Sequence, residues 1–239
     1  MNIAAHHLDF KELNSRIRTA KEAVCIDGCF GHRFIASGMT GKNVTINGTP
    51  GNALGAYFNG GTIMVNGNAQ DAVGDTMNDG EIIIHGSAGD ALGYAMRGGK
   101  IYVRDNAGYR VGIHMKEYKE KKPVIVIGGR AGSFLGEYLA GGIIVVLGIG
   151  CNHEIPVWYF TGTGMHGGKI FIRTDKELTS LPAQVVEDVA KDEDLHEIEP
   201  YVGEFAKHFS MDAQQLMKDR YYVLRPNAKN PYKQLYTAN

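Results

Sequence analysis

Residues 48–103 read GTPGNALGAYFNGGTIMVNGNAQDAVGDTMNDGEIIIHGSAGDALGYAMRGGKIYV. Within them Gly48, Gly51, Gly55 and the pair Gly60-Gly61 return as Gly67, Gln70, Gly74 and Asp79-Gly80. They return again as Gly86, Gly89, Gly93 and Gly98-Gly99, about every 19 residues. Downstream the frame recurs at Asp105, Gly108 and Gly112, then at Gly129, Gly132, Gly136 and Gly141-Gly142. A degenerate turn, Gly28 to Gly41, precedes these, and an expanded one, Gly148 to Gly167-Gly168, closes the series at seven turns. Fixed-period self-similarity marks a solenoid, in which each unit contacts its neighbours.

The apolar residues keep the same frame. One row is Ile63, Ile82, Ile101, Ile144 and Ile170, and a second lies two residues on: Val65, Ile84, Val103, Val146 and Ile172. Polar residues flank them: Thr62, Glu81, Lys100 and Lys169, then Asn66, His85, Arg104 and Arg173. That alternation predicts strands with one buried and one wet face. Further rows are Leu54, Val73, Leu92, Val111 and Leu135; Phe58, Met77, Met96, Met115 and Leu139; and the small Pro50, Ala69, Ala88, Ala107 and Ala131. One turn is too short for a strand and a full helix, so the chain reads as an all-β core, a single-stranded parallel β-helix. At roughly 4.8 Å per rung, seven rungs make a rod about 30–35 Å long. A leucine-rich repeat would need a Leu-x-x-Leu-x-Leu pattern with an Asn ladder, where this chain has Ile/Val strands on a Gly frame.

Composition narrows the class. With 239 residues, 32 of them glycine, and a net charge of −1, neither collagen nor a nucleic-acid-binding field is indicated. Three cysteines make no disulfide framework, and neither a leader-like segment nor an apolar span is apparent. The expectation is a cytoplasmic protein with no membrane or nucleic-acid partner. Three regions are expected: an N-terminal helical cap over 1–24, the β-helix over 25–175, and a helical extension and tail over 176–239. Asp9 and Glu12 frame a capped helix whose face is Phe10, Leu13, Ile17 and Ala20. Helices are predicted over Pro182–Lys191 and Pro200–Phe209, with Ser210 capping a third to Lys218. An extended tail, Tyr221–Tyr236, should lie on a surface with Tyr222 and Tyr232.

Two turns are enlarged: Lys116–Pro123, KEYKEKKP, and Cys151–Thr161, CNHEIPVWYFT. Per-repeat insertions map to surface loops, often on the binding face. Cys151, His153, Glu154, Trp158, Tyr159, Lys116 and Lys119 are therefore the candidate partner contacts, the basic loop facing an acidic surface. A Cys-His pair two residues apart is not a recognised nucleophile arrangement. Gly148-Ile149-Gly150 follows a strand, but no helix pattern follows to complete a phosphate site. Cys25 and Cys29 belong to the first turn and Cys151 to the last, too far apart for one metal set. No catalytic, cofactor or metal site is assigned; the expectation is that the purified chain binds neither FMN nor nucleotide nor metal.

NAQDAVG (68–74), GYAMRGGKI (93–101) and IHMKEYK (113–119) resemble the GXGXG domain of the glutamate synthase large subunit, strongly over about 25–175. That domain is a right-handed parallel β-helix. The resemblance implies a stand-alone version with no catalytic residue. It would hold the spacing between glutaminase and FMN-binding synthase chains while glutamate is made from glutamine and 2-oxoglutarate. Met96-Arg97-Gly98-Gly99-Lys100-Ile101 also resembles turns of the β-helix subunit of formylmethanofuran dehydrogenase. N-methylglutamate synthase is a further parallel. A subunit of either of these complexes, an independent structural protein, and a homo-oligomer all stay open.

Overall fold

One column of side chains runs the length of the molecule. Val24, Val44, Ile63, Ile82, Ile101, Ile125, Ile144 and Ile170 are register partners on successive strands. The structure, a computed structural model, describes residues 1–152, 154–179 and 181–227. After β1 (Asn2–Ala4) and α1 (Phe10–Thr19) come eight rungs: β2 (Val24–Phe30), β3 (Thr40–Thr49), β4 (Asn59–Asn66), β5 (Asp79–Ile84), β6 (Lys100–Val103), β7 (Val124–Ile127), β8 (Ala140–Val146) and β9 (Gly167–Arg173). They pair parallel in chain order, a parallel solenoid of about eight turns. The seven glycine turns of the sequence are the connections between eight strands. Ile125 and Ile127 fill the rung that the enlarged fifth turn hides from the repeat pattern.

All the expected inner rows are buried, from Leu54 to Leu135 and from Phe58 to Leu139. Ala69, Ala88, Ala107 and Ala131 bridge in sequence, ending on Val157. Even the degenerate first turn supplies Ile35 and Met39 to the core. Each corner alternates left-handed residues: Ala72, Gly74 and Thr76 have φ of 56°, 68° and 51°. A short side-chain ladder does exist at the strand ends, Asn66 to Asn47 at 2.7 Å and Asn47 to Asp27 at 2.6 Å. It coexists with the Gly frame that separates this fold from the leucine-rich pattern.

The ends are closed differently. Asp9 N-caps α1 by accepting from Lys11 and Glu12 at 2.8 Å, and Leu13 and Ile17 are buried. At the other end, β10 (Val185–Val189) occupies the segment expected to be a helix. Its β-branched residues pair antiparallel with β11 (Tyr221–Pro226), and that tertiary pairing prevails over the helical spacing. β11 in turn pairs antiparallel with β9, so the tail is a strand of the sheet rather than a surface layer, and Tyr221 and Tyr222 are buried. Tyr232 and Tyr236 lie outside the described residues. Ser210 is the left-handed C-cap of α2 (Asp192–Phe209), and Asp212 caps the short α3 (Ala213–Met217) instead.

α2 starts eight residues before Pro200, running through it rather than beginning there. An internal proline costs about 3 kcal/mol. The reason to tolerate it is beneath the helix. The outer face of the sheet is not uniformly wet: Ile83, Tyr102, Val126, Val145 and Phe171 form an apolar centre buried with Ile198, Val202 and Phe205 of α2. Each such side chain contributes about 1.5–3 kcal/mol on leaving water. The polar residues flanking this outer row remain at its rim.

Candidate partner interface

The extra residues of the two enlarged turns are confined. Ile101 to Ile125 spans 24 positions and Ile144 to Ile170 spans 26, against 19 between other successive members of the column such as Ile63 and Ile82. In the seventh turn the excess lies before Val157, which bridges Ala131 as any corner residue does. Trp158 and Tyr159 thus belong to a regular corner, not to the inserted part. They are 51% and 69% exposed. The inserted part turns inward: Cys151 is buried, and Arg130 reaches both Cys151 Sγ at 3.3 Å and the Glu154 carboxylate. These contacts, Cys151 first, push the guanidinium further above its ordinary pKa. His153 lies outside the described residues.

The basic loop folds back on the rod. Lys121 donates to Asp79 at 2.8 Å, Lys122 to Glu197 of α2 at 3.1 Å, and Glu117 accepts from the Gly142 amide. Lys116 and Lys119 stay exposed, Lys119 lying 5.4 Å over the Tyr118 ring. The structure therefore does not gather the sequence candidates into one cluster. Lys116 and Lys119 lie on the fifth turn, while Glu154, Trp158 and Tyr159 lie on the seventh.

What joins those turns is an aromatic surface that the sequence reading passed over. Between the alanine row and the Phe58–Leu139 row, each corner turns alternate side chains outward. His114 stacks on Tyr138 at 5.1 Å and meets Tyr94 edge-on at 5.9 Å. Phe160 stacks on Phe134 at 4.9 Å, and Arg110 lies 5.1 Å over Phe134. Trp158 meets Tyr109 at 6.1 Å. The signal was available: aromatic residues recur at outward corner positions of turns four to seven, between two rows already assigned to the core. Water-facing aromatic residues with arginine are the composition of interface centres, and contiguous patches of this kind mark interaction sites.

The opposite face is closed by α2 and its ion pairs. Glu204 accepts from Lys100 at 2.6 Å and from the Tyr102 hydroxyl. Burial opposes its charge, yet these hydrogen bonds prevail and hold Glu204 below its ordinary range. Asp194 and Glu197 are held low in the same way, by Arg225 and Lys169 and by Lys169 and Lys122. The Tyr-Glu-Lys grouping resembles acid–base machinery, but its contacts pin the helix to the sheet. Burial pushes the Cys29 thiol up to about 11, away from thiolate chemistry. Cys25 and Cys29 are on β2 and Cys151 follows β8. Among the described residues no His, Cys, Asp and Glu group is placed to hold a metal. Among the described residues the loop at Gly148–Gly150 leads into no helix before α2, so the strand–loop–helix order of a phosphate loop is not met there. No described helix is long and apolar enough to cross a membrane.

The GXGXG motif family model matches residues 9–227, and the chain belongs to that family. It is 43% identical to an uncharacterized protein of Methanocaldococcus jannaschii, over 99% of this chain and 96% of the relative. Among solved structures it is similar to a chain of the formyltransferase/hydrolase complex from Methylorubrum extorquens, crystallised with methylofuran. The TM-score is 0.64 with 19% identity, covering 92% of this chain and 89% of the other, a likeness of fold.

Proposed function

We propose that this GXGXG-family chain is a non-catalytic scaffolding subunit of a multi-subunit enzyme assembly, docking catalytic partners on its aromatic corner face. The observation that carries the reading is the division of the rod's surface. One face is dried and ion-paired by α2, whereas the corner face leaves Tyr109, Tyr138, Trp158, Tyr159 and Phe160 exposed, with Phe134 half-buried beneath Phe160. None of these rings is needed for the core, whose rows are filled without them.

The assembly we favour is one that forms, transfers or hydrolyses a formyl group. The fold neighbour from the formyltransferase/hydrolase complex supports this, as do the turns around Met96–Ile101 that resemble the formylmethanofuran dehydrogenase subunit. The second reading is a glutamate synthase, favoured by the NAQDAVG, GYAMRGGKI and IHMKEYK segments. Purification of the tagged chain from its native cell, with mass spectrometry of what accompanies it, separates them. Formyl-handling chains support the first; a glutaminase with an FMN-barrel chain supports the second. A chain recovered alone from gentle lysis at several salt concentrations contradicts the scaffold itself.

A further inference from the structure

The fold-back of the fifth-turn loop builds a groove of about 390 Å³ between itself and the corners below, lined by Tyr57, Asn59, Asn78, Arg97, Tyr118 and Lys121. Tyr57 and Tyr118 are 56% and 49% exposed. Asp79 is engaged by Lys121, whose hydrogen bond holds that carboxyl below its ordinary range. Among the described residues no carboxylate pairs with Arg97, nor with Lys116 or Lys119. The loop carries four lysines against two glutamates. The groove is also pre-organised. Tyr118 and Lys121 exchange backbone hydrogen bonds at 3.1 Å, and Lys121 Nζ reaches the Asn78 carbonyl at 3.2 Å.

We propose that this groove takes an acidic, aromatic-bearing peptide segment of a partner chain, a carboxylate on Arg97 between the Tyr57 and Tyr118 rings. The proposal deepens the scaffold reading and rests on it for the identity of the partner. Guanidinium supplies a planar fork matched to a carboxylate, and tyrosines give flat contact area at low entropic cost. A loop already tied down loses little freedom on binding. Nothing in the rod's own folding calls for an uncompensated cation beside two exposed tyrosines.

The probe is a fluorescein-labelled octapeptide of alternating Glu and Tyr, with its Lys-for-Glu counterpart, titrated into the full chain by anisotropy. The acidic peptide should bind, the basic one should not, and binding should weaken with salt. Arg97→Glu should weaken it roughly tenfold or more. Arg18→Glu, the same charge change on exposed α1, should leave it unchanged, and Tyr118→Ala should weaken it with melting preserved. Equal binding by wild type and Arg97→Glu, or equal loss in Arg97→Glu and Arg18→Glu, would overturn the proposal. The titration uses no partner chain, so it fails separately from the scaffold reading, which the native-cell purification alone decides.

Discussion

Replacing Gly74 by alanine should damage this fold more than the addition of one methyl group suggests. Gly74 sits at a corner with φ of +68°, and a Cβ there would stand 2.5 Å from Ile101 Cδ1 and 3.6 Å from Ile82 Cδ1. The backbone conformation alone costs an L-residue about 1–2 kcal/mol. It is not prohibitive here, since Ala72 and Ala91 hold φ of 56° and 55° nearby. The steric part decides. Carbon–carbon contacts are best near 3.5–4.0 Å, so the overlap is about 1 Å, and overpacking adds about 1–3 kcal/mol. Ala36 takes the equivalent place in the first turn at φ of 58°, so the corner backbone itself accepts a Cβ. Gly74→Ala should therefore lose about 2–5 kcal/mol, lowering the melting temperature by about 4–20 °C for a chain of this size. Gly74→Val should lose more, because branching at Cβ is poorly tolerated at positive φ. The decisive assay is a double-mutant cycle followed by circular dichroism. Ile101→Val alone costs about 0.5–1.5 kcal/mol but removes the clashing methyl, so Gly74→Ala with Ile101→Val should be no worse than Gly74→Ala alone. Simple additivity of the two losses would refute the collision argument.

Three further outcomes follow from the same structure. Phe205→Ala should destabilise by about 3–5 kcal/mol and raise dye binding to the exposed outer row, since Phe205 is buried at the centre of the helix–sheet contact; unchanged melting would mean that α2 does not close that face. Glu204, Glu197 and Asp194 have folded pKa values below the ordinary 4.5, 4.5 and 3.8, so their contribution is complete above those values and is lost as pH falls through the lower folded ones. Acid melting curves should fall in that window, and Glu204→Gln should flatten the fall. Trp158→Ala should reduce capture of partner chains while shifting the melting temperature by only a few degrees, about what 1 kcal/mol does in a chain this size; a large fall with capture intact would make Trp158 a cap for the rod's end.

The inner architecture was legible because the repeat forces identical environments onto identical positions. Ile63, Ile82 and Ile101 had to form a column once the turns stacked, and they do. Ile125 escaped only because the five extra residues after Met115 shift its phase. The C-terminal segment carries no repeat, and there local patterns misled. Val185, Val186 and Val189 fit a helical face as well as a strand, and only β11 selects the strand. Pro200 read as a helix start because its cost is visible in sequence, whereas the sheet surface that offsets it is not. The interface candidates were sought where the period breaks, at Lys116, Lys119 and Cys151–Tyr159. The aromatic corner positions keep the period, so they passed as part of the repeat until their side chains were seen stacked across turns.

In the scaffold proposed above, partners bind the corner face and leave the α2 face to the chain itself. Hydrogen–deuterium exchange on the assembly recovered from the native cell, compared with the isolated chain, tests it directly. New protection is expected in corner segments 109–118, 134–138 and 158–164, with 192–209 unchanged. Protection gained on 192–209 while the corners exchange as in the free chain would contradict it.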